Sequence, residues 1–319
     1  MENKIIVSSS PHIRDNGSTR RIMLDVVISL LPATAFGIYS FGVSAALVIL
    51  VSILSCVLSE YLARKVLKKE STISDLSAVV TGLLLALNLP STIPIWMAAV
   101  GGAVAIVIVK QLFGGLGQNF MNPALVARVF LLNAYLKQMT TFVNPGVDTI
   151  SSATPLYSIK EYVKGNEATL SGYWDLFIGN IPGCIGEVSV VALLIGAVYL
   201  LVRRVISLEI PVSFIGSVAI LTWIFGGKTL FTGDGLYHIL SGGLMLGAFF
   251  MATDYATSPV TFKGRVIMGI GCGILTSVIR IYTGLPEGVS YAILLMNICV
   301  PLIDRYTVPK SFGGEKALA

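Results

Sequence analysis

The sequence predicts an all-α membrane protein of about ten transmembrane helices in two inverted five-helix repeats, with some helices broken. Three observations lead there. The 319 residues are 55% hydrophobic and only 12% charged, with a mean hydropathy of +0.83, where soluble domains carry roughly 25% charge. The apolar residues gather into runs near the roughly 20 residues that one membrane helix needs. The Lys and Arg residues of this chain, of net charge +5, sit in short clusters between those runs, which gives a nucleic-acid partner little support.

The segments follow in order at about 22–42, 43–63, 77–89, 94–113, 122–136, 185–202, 208–226, 237–252, 265–283 and 288–303. Two are short. Segment 77–89 stops at Asn88-Leu89-Pro90, and segment 122–136 starts at Asn122-Pro123. Short spans interrupted by proline are what broken or re-entrant helices look like, and their loose backbone must be buried in protein or line a cavity. The stretch from Met1 to Arg21 lacks the basic start, apolar run and cleavage site of a signal peptide. The chain then divides into a polar tail (1–21), a first five-helix repeat (22–136), a long polar loop (137–184), a second repeat (185–303) and a second tail (304–319).

Threading ten spans puts sixteen of the 22 Lys and Arg residues on the side of the termini and four on the other, Lys137, Lys160, Lys164 and Lys228. Arg128 and Arg280 fall within spans. This asymmetry orients both termini toward the cytoplasm and the 137–184 loop outward. An internal echo supports two halves. Gly82-Leu83-Leu84-Leu85 resembles Gly243-Leu244-Met245-Leu246, and Pro123-Ala124-Leu125 resembles Tyr291-Ala292-Ile293. Five spans per half is an odd number, so the second half is expected inverted, with a central site between half-broken helices.

Candidate chemistry is sparse. Cys56, Cys184, Cys272 and Cys299 form no C-x-x-C pair and read as small packing residues. His12 and His238 have no partner at ligand spacing, so no metal site is expected. Gly114-Gly115-Leu116-Gly117 precedes Asn122-Pro123 and reads as a tight re-entrant turn, whose following helix start offers N–H groups to an anion. Arg128, at membrane depth, is a functional candidate that could pair a ligand phosphate or a buried carboxylate. Asp25, Asp75, Glu187 and Asp254 fall at span edges, and few carboxylates are expected inside. Asp254, in Ala252-Thr253-Asp254-Tyr255, reads either as a helix cap or as part of a second polar pocket. Asp148-Thr149-Ile150-Ser151-Ser152-Ala153-Thr154-Pro155 lies in the long loop. A hydroxyl among small residues there is accessible to an enzyme that transfers a phosphate-linked group.

At these residues the chain resembles RnfD, a membrane component of the Rnf complexes (ferredoxin:NAD oxidoreductases), and its relative NqrB of the Na+-translocating NADH:quinone oxidoreductase. The resemblance covers nearly the full length. It includes Ser10-Pro11-His12-Ile13-Arg14, Thr81-Gly82-Leu83-Leu84-Leu85-Ala86-Leu87, Asn122-Pro123-Ala124 and Phe250-Met251-Ala252-Thr253-Asp254. The length favours RnfD over the longer quinone-reductase component. The resemblance implies a fold similar to urea and ammonium channels. It also implies FMN held through a phosphoester bond by Thr154, in a motif formed with Asp148, Ser151, Ser152 and Ala153, with Ser152 standing where the family commonly has Gly. A second, non-covalent flavin, riboflavin, is implied for some members and is expected near Asp254; Asn122 and Arg128 complete the candidate cofactor residues.

The expected function is therefore an electron-transfer subunit of a cation-translocating oxidoreductase, inactive alone, that couples electron flow to Na+ or H+ movement. Its expected setting is the cell (inner) membrane. Its expected partners are membrane lipid, the other membrane and peripheral subunits, including iron–sulfur subunits and an outer-face FMN subunit, and a flavin transferase for maturation. The rival reading is a channel or transporter for a small neutral solute, which predicts an open, weakly polar pore and no flavin.

Overall fold

The computed structural model describes residues 18–145, 152–284 and 287–309. Among them every regular element is helical. Helix α1 (Thr19–Val66) starts at Ser18, whose side chain accepts from the Arg21 N–H. Its 48 residues are two spans end to end, because Gly42 (φ 67, ψ −148) breaks the helix in a conformation that glycine alone adopts cheaply. That break falls on the expected boundary between the first two segments. A turn at Ile73–Asp75 leads into α2 (Ser77–Leu87). Helix α3 (Ile95–Ala103) widens into a π-helical stretch, Val104–Gln111. Helix α4 (Pro123–Ala134) follows the glycine turn, in which Gly114, Gly115 and Gly117 all take positive φ.

The long polar stretch carries α5 (Leu136–Met139), α6 (Pro155–Lys164) and α7 (Tyr173–Ile178). Then come α8 (Val190–Val202), α9 (Glu209–Phe225), α10 (Gly235–Leu240), and α11 (Leu244–Leu246), which continues as π-helical Gly247–Met251. The last two are α12 (Phe262–Tyr282) and α13 (Val289–Thr307). Among the described residues, α1, α12 and α13 are long and apolar enough to cross a membrane, and five shorter apolar helices accompany them.

Two expected segments differ from what the chain does. Segment 237–252 is broken into α10 and α11. Arg280 explains how the break survives burial: its guanidinium donates to the carbonyls of His238 (2.6 Å) and Ser241 (3.2 Å). These are the loose acceptors at the end of α10, where a cation also meets the negative end of the helix dipole. Segment 185–202 is helical only from Val190. The residues before it turn beside the end of α2: Ile185 N donates to Leu89 O at 3.0 Å, and Gly186 N to Leu87 O at 2.8 Å. The proline stop at 88–90 thus finds its backbone partners in another interrupted stretch, and irregular backbone stays buried in protein.

Small residues set the helix spacings. A Cβ on Gly196 of α8 would overlap the Ser29 carbonyl oxygen of α1, and a Cβ on Gly273 of α12 would overlap the Ser217 hydroxyl of α9. Gly269 faces Ser213 in the same way one turn earlier, a small-xxx-small seam of the kind that lets apolar helices approach closely. The apolar core runs between these contacts through Leu30, Leu85, Leu125, Phe214 and Met268.

Candidate functional site

The chain buries more charge than its sequence suggests. Arg128, on the inner face of α4, is 6% exposed. Its guanidinium lies 3.3 Å from Glu187, binds Glu287, and donates to Ser290 Oγ at 2.6 Å. Three regions far apart in the chain meet here: α4, the turn before α8, and the start of α13. The expectation of few interior carboxylates is corrected, because Glu187 is buried and Glu287 turns inward to the same guanidinium. Cys184 Sγ and the two carboxylates lie within 4.8 Å of one another. The guanidinium beside them supplies positive charge where a metal ion would otherwise sit.

Thr154 lies against this cluster. It is the residue before α6, and it lines a small cleft with Pro182, Gly183, Gly242, Glu187 and Glu287. The sequence predicts an open surface for this hydroxyl; the residue is instead only 8% exposed, because Pro155 and Leu156 pack inward behind it. Its side chain does not cap the helix. The first turn of α6 therefore keeps N–H groups that no Thr154 oxygen occupies, and the positive end of the helix dipole lies there. Ser152 N donates to Phe142 O at 2.9 Å. Ala153 is exposed and borders a wide groove with Tyr157, Tyr162 and Lys228. Asp148 and Ser151 lie outside the described residues.

Asn122 and Asp254 belong to a different site. Both line a cavity with about 90 Å³ of room for water-sized molecules, which opens to the solvent through a mouth. Its walls are mostly apolar, including Val26, Val80, Leu84 and Phe250, and its polar side chains are Ser77, Thr81, Lys110, Asn119, Asn122, Thr253, Asp254 and Tyr255. Contrary to the sequence expectation, the start of α4 does not offer its N–H groups to an anion. Asn122 Oδ1 accepts from Ala124 N (3.1 Å) and Leu125 N (3.4 Å), while its amide donates to Met251 O at 3.3 Å. Asp254 keeps part of the capping role, accepting from Thr257 Oγ1 at 3.2 Å. Burial pushes its carboxyl above the ordinary range, and hydrogen bonds from Thr257 and the Ala256 backbone oppose that shift.

Sequence reasoning missed the cavity's cation. Charge counting assigns Lys110 to the cytoplasmic side, at the end of segment 94–113, yet it is 2% exposed and bridges both oxygens of the buried Glu60 at 3.0 Å. Thr72 Oγ1 and Gln111 Nε2 also donate to Glu60, at 2.7 and 2.9 Å. A usable signal lies in α1: Ser52, Cys56 and Glu60 repeat at helical spacing, and all three are buried.

Helix α8 separates the two sites. Val188, two residues before α8, lines the Thr154 cleft and Leu200, near the other end, lines the cavity; at 1.5 Å per residue the helix rises about 15 Å between Val190 and Leu200. The two sites lie toward opposite ends of the same helix.

Comparison with known proteins follows the same full-length pattern. The profile of the NQR2, RnfD, RnfE family matches residues 6–313. The chain is 50% identical over 318 residues to the D component of the Na+-translocating ferredoxin:NAD+ oxidoreductase complex of Acetobacterium woodii, covering 99% of this chain and 97% of that protein. It is 46% identical over 326 residues to the D component of the proton-translocating ferredoxin:NAD+ oxidoreductase complex of Clostridium ljungdahlii, covering 99% and 98%. It is 38% identical over 349 residues to the D component of the ion-translocating oxidoreductase complex of Erwinia tasmaniensis, covering 97% and 98%.

Proposed function

The chain belongs to the NQR2, RnfD, RnfE family, and on that premise we propose that it is the membrane-integral RnfD component of an ion-translocating ferredoxin:NAD+ oxidoreductase. Two sites toward opposite ends of α8 are the arrangement that carries this reading: one offers a free hydroxyl for attachment and the other an open-mouthed, mostly apolar cavity. Splitting α1 at Gly42 and counting α12, α13, the five shorter apolar helices and the broken α10–α11 stretch as one span supports a ten-span path in two five-span halves, the second inverted. The distribution of Lys and Arg supports termini in the cytoplasm and the Thr154 cleft on the outer face.

FMN is proposed on Thr154. The residues fit a phosphoester: the hydroxyl caps nothing, and the adjoining helix start favours an anion. Glu187 and Glu287 line the inner wall of the cleft, so the phosphate is directed outward, toward the groove of Tyr157 and Tyr162. Arg128 is committed to the two carboxylates. Its role is to hold the cleft floor, rather than to bind phosphate directly.

A non-covalent, uncharged flavin such as riboflavin is proposed in the cavity. Apolar walls with a few polar groups fit a ring system of that kind, and the candidate contacts are Ser77, Lys110, Asn119, Asn122 and Asp254. Bound there, a flavin supplies electron transfer, while the chain supplies position, hydrogen bonds and a low dielectric. Iron–sulfur and FMN subunits are the proposed electron partners, a flavin transferase the maturation partner, and Na+ or H+ the coupled ion. The deciding experiment is mass spectrometry of the 138–172 peptide from purified, denatured protein. FMN mass on Thr154 is expected, and an unmodified peptide refutes the attachment.

A further inference from the structure

We propose that Asp75, Ser77 and Lys110 form a proton path from the Lys-rich loop into the cavity. The end of α1 and the loop after it are exposed over residues 65–71 and carry Lys65, Lys68 and Lys69. Asp75 follows it, half-buried, in the turn Ile73–Asp75. From there the hydrogen bonds are continuous. Lys110 Nζ donates to Ser77 Oγ at 2.6 Å, and Ser77 Oγ donates to Asp75 Oδ1 at 2.5 Å. Ser77 and Lys110 are both buried, and both line the cavity. One end of the chain therefore reaches the polar surface and the other forms part of the cavity wall.

The surrounding groups suit a relay rather than a static ion pair. Glu60 balances the ammonium charge through two contacts of 3.0 Å, and is itself held by Thr72 and Gln111. This leaves the third direction of the ammonium to a hydroxyl, which can both accept and donate a proton. The titratable groups facing Lys110 are Glu60 and Cys56 of α1, Asp75 through Ser77, and Asp254 across the cavity. Linked hydrogen bonds in a low-dielectric interior polarise one another and are stronger together than singly.

The steps balance. A Lys110 Nζ–H bond breaks as its proton passes to a basic ring nitrogen held in the cavity. The resting hydrogen bonds point outward, from Nζ to Ser77 Oγ to Asp75 Oδ1, so the Ser77 hydroxyl then turns: its proton moves onto Nζ while Asp75, protonated by a hydronium ion at the loop surface, delivers that proton to Oγ and is left as the carboxylate. One proton enters from the Lys-rich side, and the three residues return to their starting state. The need for that proton rests on the flavin reading of the cavity, where a one-electron iron–sulfur donor supplies the accompanying electron.

Asp75→Asn tests the path in the purified complex. The amide oxygen still accepts from Ser77 N and Oγ, as Asp75 does at 2.8 and 2.5 Å, but it cannot carry a proton. Two readouts are taken. Exchange of the Lys110 ammonium hydrogens with D2O, followed by NMR on 15N-lysine-labelled complex without any electron donor, is expected to slow about 100-fold, the lower end for a lost proton-transfer group. Proton uptake on reduction is expected to slow by a similar factor, with flavin content unchanged. Ser77→Ala is expected to reproduce both losses, and Ser77→Thr, which restores the oxygen, to reverse them. Unchanged exchange in Asp75→Asn and Ser77→Ala overturns the path. A complex without non-covalent flavin overturns the cavity reading, and the exchange measurement then still decides whether the path exists.

Discussion

Arg128 and Glu187 sit 3.3 Å apart in the interior, and this pair fastens the broken first half of the chain to the turn that opens the second. Glu287 joins the same guanidinium from the start of α13. Removing one partner of such a buried pair leaves uncompensated charge, whereas forming it gains little net stability. Arg128→Met should therefore destabilise the protein by about 3–5 kcal/mol. The check is the melting temperature of the detergent-purified protein. A variant that melts like the wild type would show that the carboxylates are neutral or otherwise paired.

The Glu60–Lys110 pair makes a sharper case, because both side chains are fully buried. Glu60→Gln and Lys110→Met are each expected to cost about 3–5 kcal/mol, and the two combined to cost clearly less than the sum of the single changes. A double-mutant cycle on thermal or denaturant unfolding measures the coupling. Additive costs would mean that the two side chains are stabilised independently.

Much of the architecture is legible because membrane helices announce themselves by composition. The boundary at Gly42, the short α2 before Pro90 and the proline-started α4 all stand close to where hydropathy and proline place them. The break between α10 and α11 is not legible, since Ser241-Gly242-Gly243 lies within an apolar run and the residue that makes it tolerable, Arg280, is 39 positions from Ser241. The Arg128 cluster is hidden for the same reason: its carboxylates are 59 and 159 positions away, and long-range pairing leaves no local pattern. Lys110 misleads differently. Counting charges assigns a Lys at a span end to the nearest polar face, and it cannot detect a buried carboxylate one helix away.

Close helix contact gives a packing prediction. The Gly196 Cα faces the Ser29 carbonyl so closely that any Cβ overlaps it, and backbone cannot turn aside as a flexible side chain can. Gly196→Ala is expected to push α8 from α1 and to destabilise by about 1–3 kcal/mol, the usual range for overpacking. Because α8 joins the two sites, weaker retention of a cavity ligand should accompany the loss. Gly216→Ala, whose added Cβ meets open space, is the control and should melt near the wild type.

Asp254 gives a pH-dependent prediction. Burial raises its carboxyl above the ordinary 3.8, so the folded protein binds that proton more tightly than the unfolded chain does. A raised group contributes stability at low pH that is lost as pH rises through its folded value. Asp254→Asn removes the burial penalty on the charge while keeping an acceptor for Thr257. The variant should melt higher than the wild type at pH 7, and the gap should close as pH falls toward 3.8. A constant gap across that range would assign the effect to packing instead of ionisation.

Thr154 allows flavin attachment to be separated from folding. An N-cap hydroxyl lost to alanine commonly costs about 0.5–2 kcal/mol because a helix N–H loses its acceptor. The Thr154 hydroxyl makes no such bond, so Thr154→Ala should cost under about 1 kcal/mol and leave the melting curve nearly unchanged. Covalent flavin, in contrast, should disappear, because no other atom at that position can carry the phosphoester. Thr154→Ser keeps the hydroxyl and should retain attachment, with a reduced yield because losing the methyl frees the rotamer in the cleft. In-gel fluorescence of the denatured protein separates the three variants. Fluorescence persisting in Thr154→Ala would move the attachment to another hydroxyl. A protein that lost both flavin and fold would instead assign Thr154 to the packing of α6 against Ile181 and Val188.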